Sequence, residues 1–220
     1  MTGFRKHAER RYTVAEAAAI LEQPQKRISN ALERELRPLG LGSLDRDERT
    51  ISSRGLVALE LLRDFASWFT PQFRKAVIME ALRASSIDTI SVQKGRVMVS
   101  IAEQRQRVNK AKDRLREAEA LVVRDPEILG GEPCVKGTRI PAYLVGALAR
   151  KHGIAEVHTT YPSLSRQMIE LVALYVEANP RKGRPRQAEL SAPKGAKRGK
   201  AKKVRLDRGS HPTPSIRAAD

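Results

Sequence analysis

The sequence predicts a mainly α-helical chain: a winged helix-turn-helix, a second three-helix module of helix-turn-helix type, small β-hairpins and a disordered basic tail. Three observations predict it. Apolar residues recur at helical spacing in segments that open at capping residues or prolines. Short stretches between them alternate apolar and polar residues beside turn residues, as half-buried strands do. Beyond residue 180 the apolar periodicity gives way to Gly, Pro, Lys and Arg. We divide the chain into a winged unit (11–70), a helical and hairpin connector (71–121), a helical module (122–179) and the tail (180–220).

The first helix starts at Thr13. Thr13 and Glu16 have capping-box spacing, and Val14, Ala17, Ala18 and Leu21 form one stripe. Pro24 opens a second helix that runs to about Leu36, with Ile28, Leu32 and Leu36 facing inward, and Pro38, Gly40 and Gly42 stop it. A polar turn and a short strand follow, and a third helix runs from about Ser53 to Phe69. On the second helix Arg27, Asn30 and Arg34 lie at i, i+3 and i+7, opposite Ile28 and Leu32, with Lys26 beside them. Arginine forks to guanine and asparagine pairs with adenine, so this face suits a major groove. The other reading is an ordinary solvated face, and Glu33 and Glu35 on the same helix weigh toward it. Arg46 and Arg49, near the wing, are candidate phosphate contacts.

Pro71 opens a further helix, to about Ala84. A hairpin follows, in which Ile90 and Val92, then Val97, Val99 and Ile101, alternate with polar residues around Lys94-Gly95. Next, Ile101, Val108, Leu115 and Val122 recur every seven residues, with Ala111 and Ala118 between them. Such a stripe is either a dimer seam or the covered side of a helix lying on its own chain.

The run Gly130 to Pro141, GGEPCVKGTRIP, precedes a helix expected from Pro141 to Gly153 with Leu144, Leu148 and Val145 inward. Asp125, Pro126 and Glu127 read as a cap and a single helical turn ahead of it. A short helix from Ile154 and a last helix follow; Ser163 is its expected cap, and Met168, Leu171, Val172 and Tyr175 its stripe. The glycine-rich run has neither P-loop nor dinucleotide-fold spacing. Its glycines free the backbone, its prolines fix its path, and Thr138 is expected to cap the next helix. Lys136 and Arg139 are the cations it presents.

The formal charge is +17, and the 180–220 tail holds thirteen Lys and Arg against three acids, a net +10. That balance points to a polyanionic partner, DNA above all. Only 4% of residues are aromatic, which argues against a wide base-stacking platform. Cys134 is the single cysteine, so no internal disulfide or cysteine-based zinc site is expected. His152 and His158 do not have same-face metal spacing, and no nucleophile–base pair or carboxylate cluster stands out. We expect no catalytic residue, metal or cofactor. The first residues do not read as a secretory signal, and no apolar run is long enough to span a membrane, so a cytoplasmic, nucleoid-associated protein is expected.

Three resemblances add to this. Residues 11–65 resemble the N-terminal DNA-binding unit of MerR-like and excisionase-like regulators. Lys182-Gly183-Arg184-Pro185-Arg186 resembles an AT-hook core, which implies Arg184 and Arg186 in an A·T-rich minor groove. The run Gly130, Gly131, Pro133, Gly137, Thr138, Arg139, Ile140, Pro141, followed by Tyr161, Pro162 and Leu164, resembles the bacterial family called domain of unknown function four-three-three. Ala142 stands where that pattern usually has valine. The resemblance implies a VapB-type antitoxin paired with a PIN-like ribonuclease toxin. The toxin-facing residues would then be Lys136, Thr138 and Arg139. A palindromic operator would match a homodimer. The alternative is a transcription regulator or nucleoid-associated protein without a toxin.

Overall fold

The computed structural model describes residues 10–44, 49–83 and 88–181. The tail, with Arg184 and Arg186, and residues 45–48, with Arg46, lie outside the described residues. The fold is mainly helical with small antiparallel strand pairs. Among the described residues no helix is long and apolar enough to cross a membrane.

Strand β1 (Arg11–Thr13) runs directly into α1 (Val14–Leu21). Thr13 and Glu16 close the expected capping box: the Thr13 hydroxyl accepts from the Glu16 amide at 3.2 Å, and the Thr13 amide donates to the Glu16 carboxylate at 2.7 Å. A turn through Glu22 leads to α2 (Gln25–Ala31), which widens into a π turn at Leu32–Leu36 and tightens into a 3-10 turn at Arg37–Leu39. The inward residues explain the widening. Ile28, Leu32 and Leu36 are four apart, and at 3.6 residues per turn the third would drift round the cylinder. The wide turn keeps all three at 0% exposure, and the Arg37 amide donates to the Leu32 carbonyl across it.

Strands β2 (Gly42–Leu44) and β3 (Arg49–Ser52) pair antiparallel, and β1 joins on the other side of β3, giving the order β1-β3-β2. Helix α3 (Ser53–Asp64) follows at once, capped by the Ser52 hydroxyl, which accepts from the Gly55 amide at 3.1 Å. It stops at Asp64, short of the predicted Phe69. Phe65 meets Phe69 edge to face and Phe69 meets Phe73 at a tilt, with centroids 5.3 and 4.4 Å apart, where the chain turns into α4 (Pro71–Arg83). Pro71 disfavours helical geometry at Thr70, so the corner falls before it. Strands β4 (Thr89–Val92) and β5 (Val97–Ser100) form the expected hairpin, with Ile90, Val92 and Val99 buried.

Helix α5 (Ala102–Ala120) decides between the two readings of the seven-residue stripe. Ile101 packs with the hairpin and α4, Val108 and Leu115 join the core of α1 to α3, and Ala118 joins the C-terminal core. Ile101, Val108 and Leu115 are at most 1% exposed within the single chain. The stripe is therefore the covered side of a helix on its own chain, and the dimer-seam reading is corrected. Polar contacts hold the same helix to α3. Arg107 pairs with Glu60 at 2.9 Å and with Asp64, and Gln104 donates to Asp64 at 3.0 Å. Burial pushes the Glu60 carboxyl above its ordinary range against the pull of Arg63 and Arg107.

The C-terminal part consists of β6 (Val122–Val123), β7 (Cys134–Val135), α6 (Ala142–His152), α7 (Ile154–Thr160) and α8 (Arg166–Ala178). Helix α8 packs on α6, α5 and α1, so this module and the N-terminal unit are in direct contact. Several details differ from expectation. Of the predicted inward residues of α6, Val145 is fully buried and Leu148 packs partly buried on the same core, whereas Ala142 and Gly146, not Leu144, complete the buried face. Gly146 sets that choice: a β-carbon there would lie 2.9 Å from Val176, so α6 approaches α8 along its smallest residue. Ser165, not Ser163, caps α8, accepting from the Met168 amide at 3.2 Å. Asp125 starts a turn rather than a helical turn, its carboxylate accepting from the Glu127 amide at 2.9 Å.

Candidate nucleic-acid and partner interfaces

Four residues predicted for DNA, Lys26, Arg27, Asn30 and Arg34, are all exposed on α2 and its π turn. Their side chains make no hydrogen bond or ion pair among the described residues. The π turn changes which of them align. Because it brings residues four apart onto one line inside, it does the same outside, where Lys26, Asn30 and Arg34 are also four apart. Arg27 flanks that row instead of opening it. The sequence did not betray the wide turn, so the i, i+7 relation of Arg27 to Arg34 was drawn on an unbroken helix.

Arg49 is less available than Lys26 or Arg34. Its guanidinium pairs with Glu33 at 3.0 Å and donates to the Ser29 hydroxyl at 2.9 Å, bracing β3 against α2. Half of its side chain is exposed, so the pair is worth little by itself. A phosphate at this position would compete with Glu33 for the same guanidinium.

The stretch Cys134–Pro141 is a tight hairpin. The Val135 amide donates to the Ile140 carbonyl at 2.9 Å, the Thr138 amide to the Val135 carbonyl at 3.0 Å, and the Ala142 amide to the Pro133 carbonyl at 2.8 Å. Gly137 has φ of 76°, which an L side chain rarely adopts. Thr138 does not cap α6. Its hydroxyl donates to the Val135 carbonyl at 2.8 Å and accepts from the Ile140 amide at 3.1 Å, locking the turn from inside. β7 pairs with β6, and the Lys136 amide donates to the Leu121 carbonyl at 2.8 Å. Lys136 and Arg139 are thus exposed at a tip whose backbone is fixed on several sides. Neither side chain has a hydrogen-bond or ion-pair partner among the described residues, and no acid lies between Cys134 and Pro141.

Two exposed apolar residues ahead of this hairpin were not singled out in the sequence. Val123, opposite Cys134 in the strand pair, is 42% exposed, and Leu129 is 54% exposed with φ of 50°. A leucine in left-handed geometry costs about 1 kcal/mol or more, so the turn around it is held by other contacts. Glu132 supplies one of them. It pairs with Arg181, whose guanidinium also lies 4.3 Å over the Tyr143 ring, and the Tyr143 hydroxyl donates to the Asn179 carbonyl at 2.9 Å. The loop before the hairpin is therefore tied to the end of α8.

Cys134 is a buried thiol. Burial, helped by the charge of Glu132, pushes its pKa up, the reverse of what an attacking thiolate needs. His158 Nδ1–H donates to the Leu164 carbonyl at 2.7 Å, and His152 lies 3.2 Å from Glu156. Each histidine thus has a local structural partner.

No solved structure matches this chain. An uncharacterized protein, y4eO, of Sinorhizobium fredii is 44% identical over 75 residues, 34% of this chain and 34% of that protein. The chain thus spans about a third of the length of that curated relative, 34% of it. The matched family covers the region just described, from β6, through the hairpin and α6 and α7, into α8: residues 122–176 match the model of a family described as Protein of unknown function (DUF433).

Proposed function

We propose that the chain is a DNA-binding antitoxin, which neutralises a PIN-like ribonuclease toxin through its C-terminal module and represses its own operon through its N-terminal unit. The observation that carries this reading is the hairpin tip. Lys136 and Arg139 project from a locked backbone with no side-chain partner among the described residues, inside the segment that the family model matches. PIN-like nucleases hold metal ions with clustered carboxylates. A guanidinium fork on a rigid tip pairs with two carboxylate oxygens at little cost in ordering.

The N-terminal half of the proposal rests on the helix-turn-helix order of α1 and α2, the β2–β3 wing and the free Lys26-Asn30-Arg34 row. The tail, net +10, would add contacts to phosphates that do not depend on sequence. A homodimer fits a two-fold operator, but its contacts must come from a surface other than the α5 stripe. The test uses the full chain in two assays: gel shifts on the DNA upstream of its own reading frame, and inhibition of a PIN-like nuclease encoded beside it. DNA binding without inhibition would leave a transcription regulator or a nucleoid-associated protein. Failure of both would remove the reading.

A further inference from the structure

Helices α3, α4 and α5 line an open-mouthed cavity of about 170 Å³ that the proposed function does not use. Its floor is apolar, built from Val57 and Leu61 of α3 and Ile78 and Leu82 of α4. Its rim carries Arg54, Arg105 and Lys112, and among the described residues no acid lines it. The size is close to the roughly 150 Å³ cavity that takes one benzene, so a single ring or a short branched chain fits and a nucleotide does not. We propose that this cavity is a binding site for a small apolar monocarboxylate, with the hydrocarbon on the Val57–Leu82 floor and the carboxylate against Arg54 and Arg105.

The charge pattern selects the ligand class. A carboxylate brought into an apolar pocket without a partner is strongly disfavoured, and cations at the mouth remove that cost. A cationic ligand would meet only like charge, and a neutral one would leave the rim unused. Arg105 is well placed. Its side chain is 16% exposed, and it donates to the Ala81 carbonyl at 3.4 Å, which holds the guanidinium over the opening. Asp88 pairs with it at 3.4 Å from a largely exposed position, and the five-donor guanidinium can be shared with an incoming carboxylate. Arg54 is exposed and has no hydrogen-bond or ion-pair partner among the described residues. The ligand would touch α3, which continues directly from wing strand β3. The binding claim itself does not depend on the antitoxin reading.

The test is calorimetric titration of the full chain with benzoate, and with benzamide as its neutral isostere. Saturable one-to-one binding of benzoate is expected, with benzamide weaker by about tenfold or more, a difference of roughly 1.4 kcal/mol. Arg105→Gln should weaken benzoate by a similar factor, and Ala81→Leu, which fills the cavity, should abolish binding. Melting curves run beside each titration check folding. If Ala81→Leu fails to fold, Arg54→Gln, an exposed change, replaces it and should again weaken benzoate but not benzamide. No saturation at millimolar benzoate, equal affinity for the two compounds, or full affinity in both arginine variants would overturn the proposal.

Discussion

The α2 row and the 134–141 hairpin both present cations to solvent, but they hold them by different means. On α2 the spacing of residues along a helix sets the row, and acids are interleaved: Glu33 and Glu35 share the segment with Arg34, and Glu33 already takes Arg49. At the hairpin the backbone sets the positions, through Gly137, the two bonds of the Thr138 hydroxyl and the pairing of β7 with β6, and no acid lies between Cys134 and Pro141. A row on a helix suits a long regular groove, where register matters more than the fixity of each side chain. A locked tip suits one compact anionic site. The first arrangement is tuned by side chains and the second by backbone, so the two should answer differently to the same kind of mutation.

The sharpest way to break the comparison is to remove what joins the regions. Helix α5 gives Leu115 to the N-terminal core and Ala118 to the C-terminal core. Leu115→Asp places a carboxylate at a fully buried position and should cost more than about 4 kcal/mol. Urea unfolding followed by circular dichroism should show both regions lost together. A variant that melts like wild type but sediments as a smaller species would return the stripe to the role of a dimer seam.

Next in size is Arg139→Ala. If the guanidinium docks on a carboxylate cluster, nuclease inhibition should weaken by roughly 2–5 kcal/mol while the melting temperature stays unchanged. Gly137→Ala makes the contrast. Its φ of 76° strains any L residue, so stability should fall by about 1 kcal/mol and inhibition should fall with it. An Arg139→Ala chain that inhibits fully would leave the tip a purely structural turn.

On the helix the effects should be smaller and read on DNA. Lys26→Ala and Arg34→Ala should each weaken operator binding by about 1–3 kcal/mol, and Arg27→Ala by less, because the π turn sets Arg27 off the row. Deleting 180–220 should weaken binding to every sequence alike and flatten its dependence on salt. Gel shifts at two salt concentrations measure both. Equal losses for Arg27 and Lys26 would mean that the row of an unbroken helix is the one that docks.

What was legible in the sequence follows from the same contrast. Features fixed by local side chains could be read in advance: the Thr13–Glu16 box, the Ile28-Leu32-Leu36 face, the 89–100 hairpin and the helix starts at prolines. Features fixed by neighbours could not. The π turn exists because three leucine-type positions must reach one core, and Gly146 rather than Leu144 completes the α6 face because it meets Val176. The role of Thr138 needed the hairpin to be closed before its hydroxyl had partners, and the α5 stripe needed its covering helices. Of the candidate surfaces, the sequence located the exposed cations of α2 and of the hairpin, whereas the exposure of Val123 and Leu129, set by tertiary packing, was not legible.

The smallest predicted effect concerns Cys134, and it tests whether the hairpin is as closed as its hydrogen bonds imply. The thiol is 3% exposed, and burial, then the Glu132 charge, raise its pKa above the ordinary thiol value. A folded-state pKa above the unfolded one means that the unfolded chain releases the proton first as pH rises. Stability should therefore be undiminished by this group below the ordinary thiol range and decline as pH climbs through it toward the raised value. In Cys134→Ala that alkaline slope should disappear, with a uniform loss of about 1 kcal/mol from the missing sulfur contacts. Iodoacetamide gives a second measure. Labelling of the native chain should be slow at neutral pH and jump to the free-thiol rate in denaturant, and Thr138→Val, which removes both hydroxyl bonds from the turn, should speed it without full unfolding. A native thiol that labels as fast as a free one would mean that the hairpin opens readily. Arg139 would then be carried on a mobile loop, and the contrast with the helix row would lose its basis.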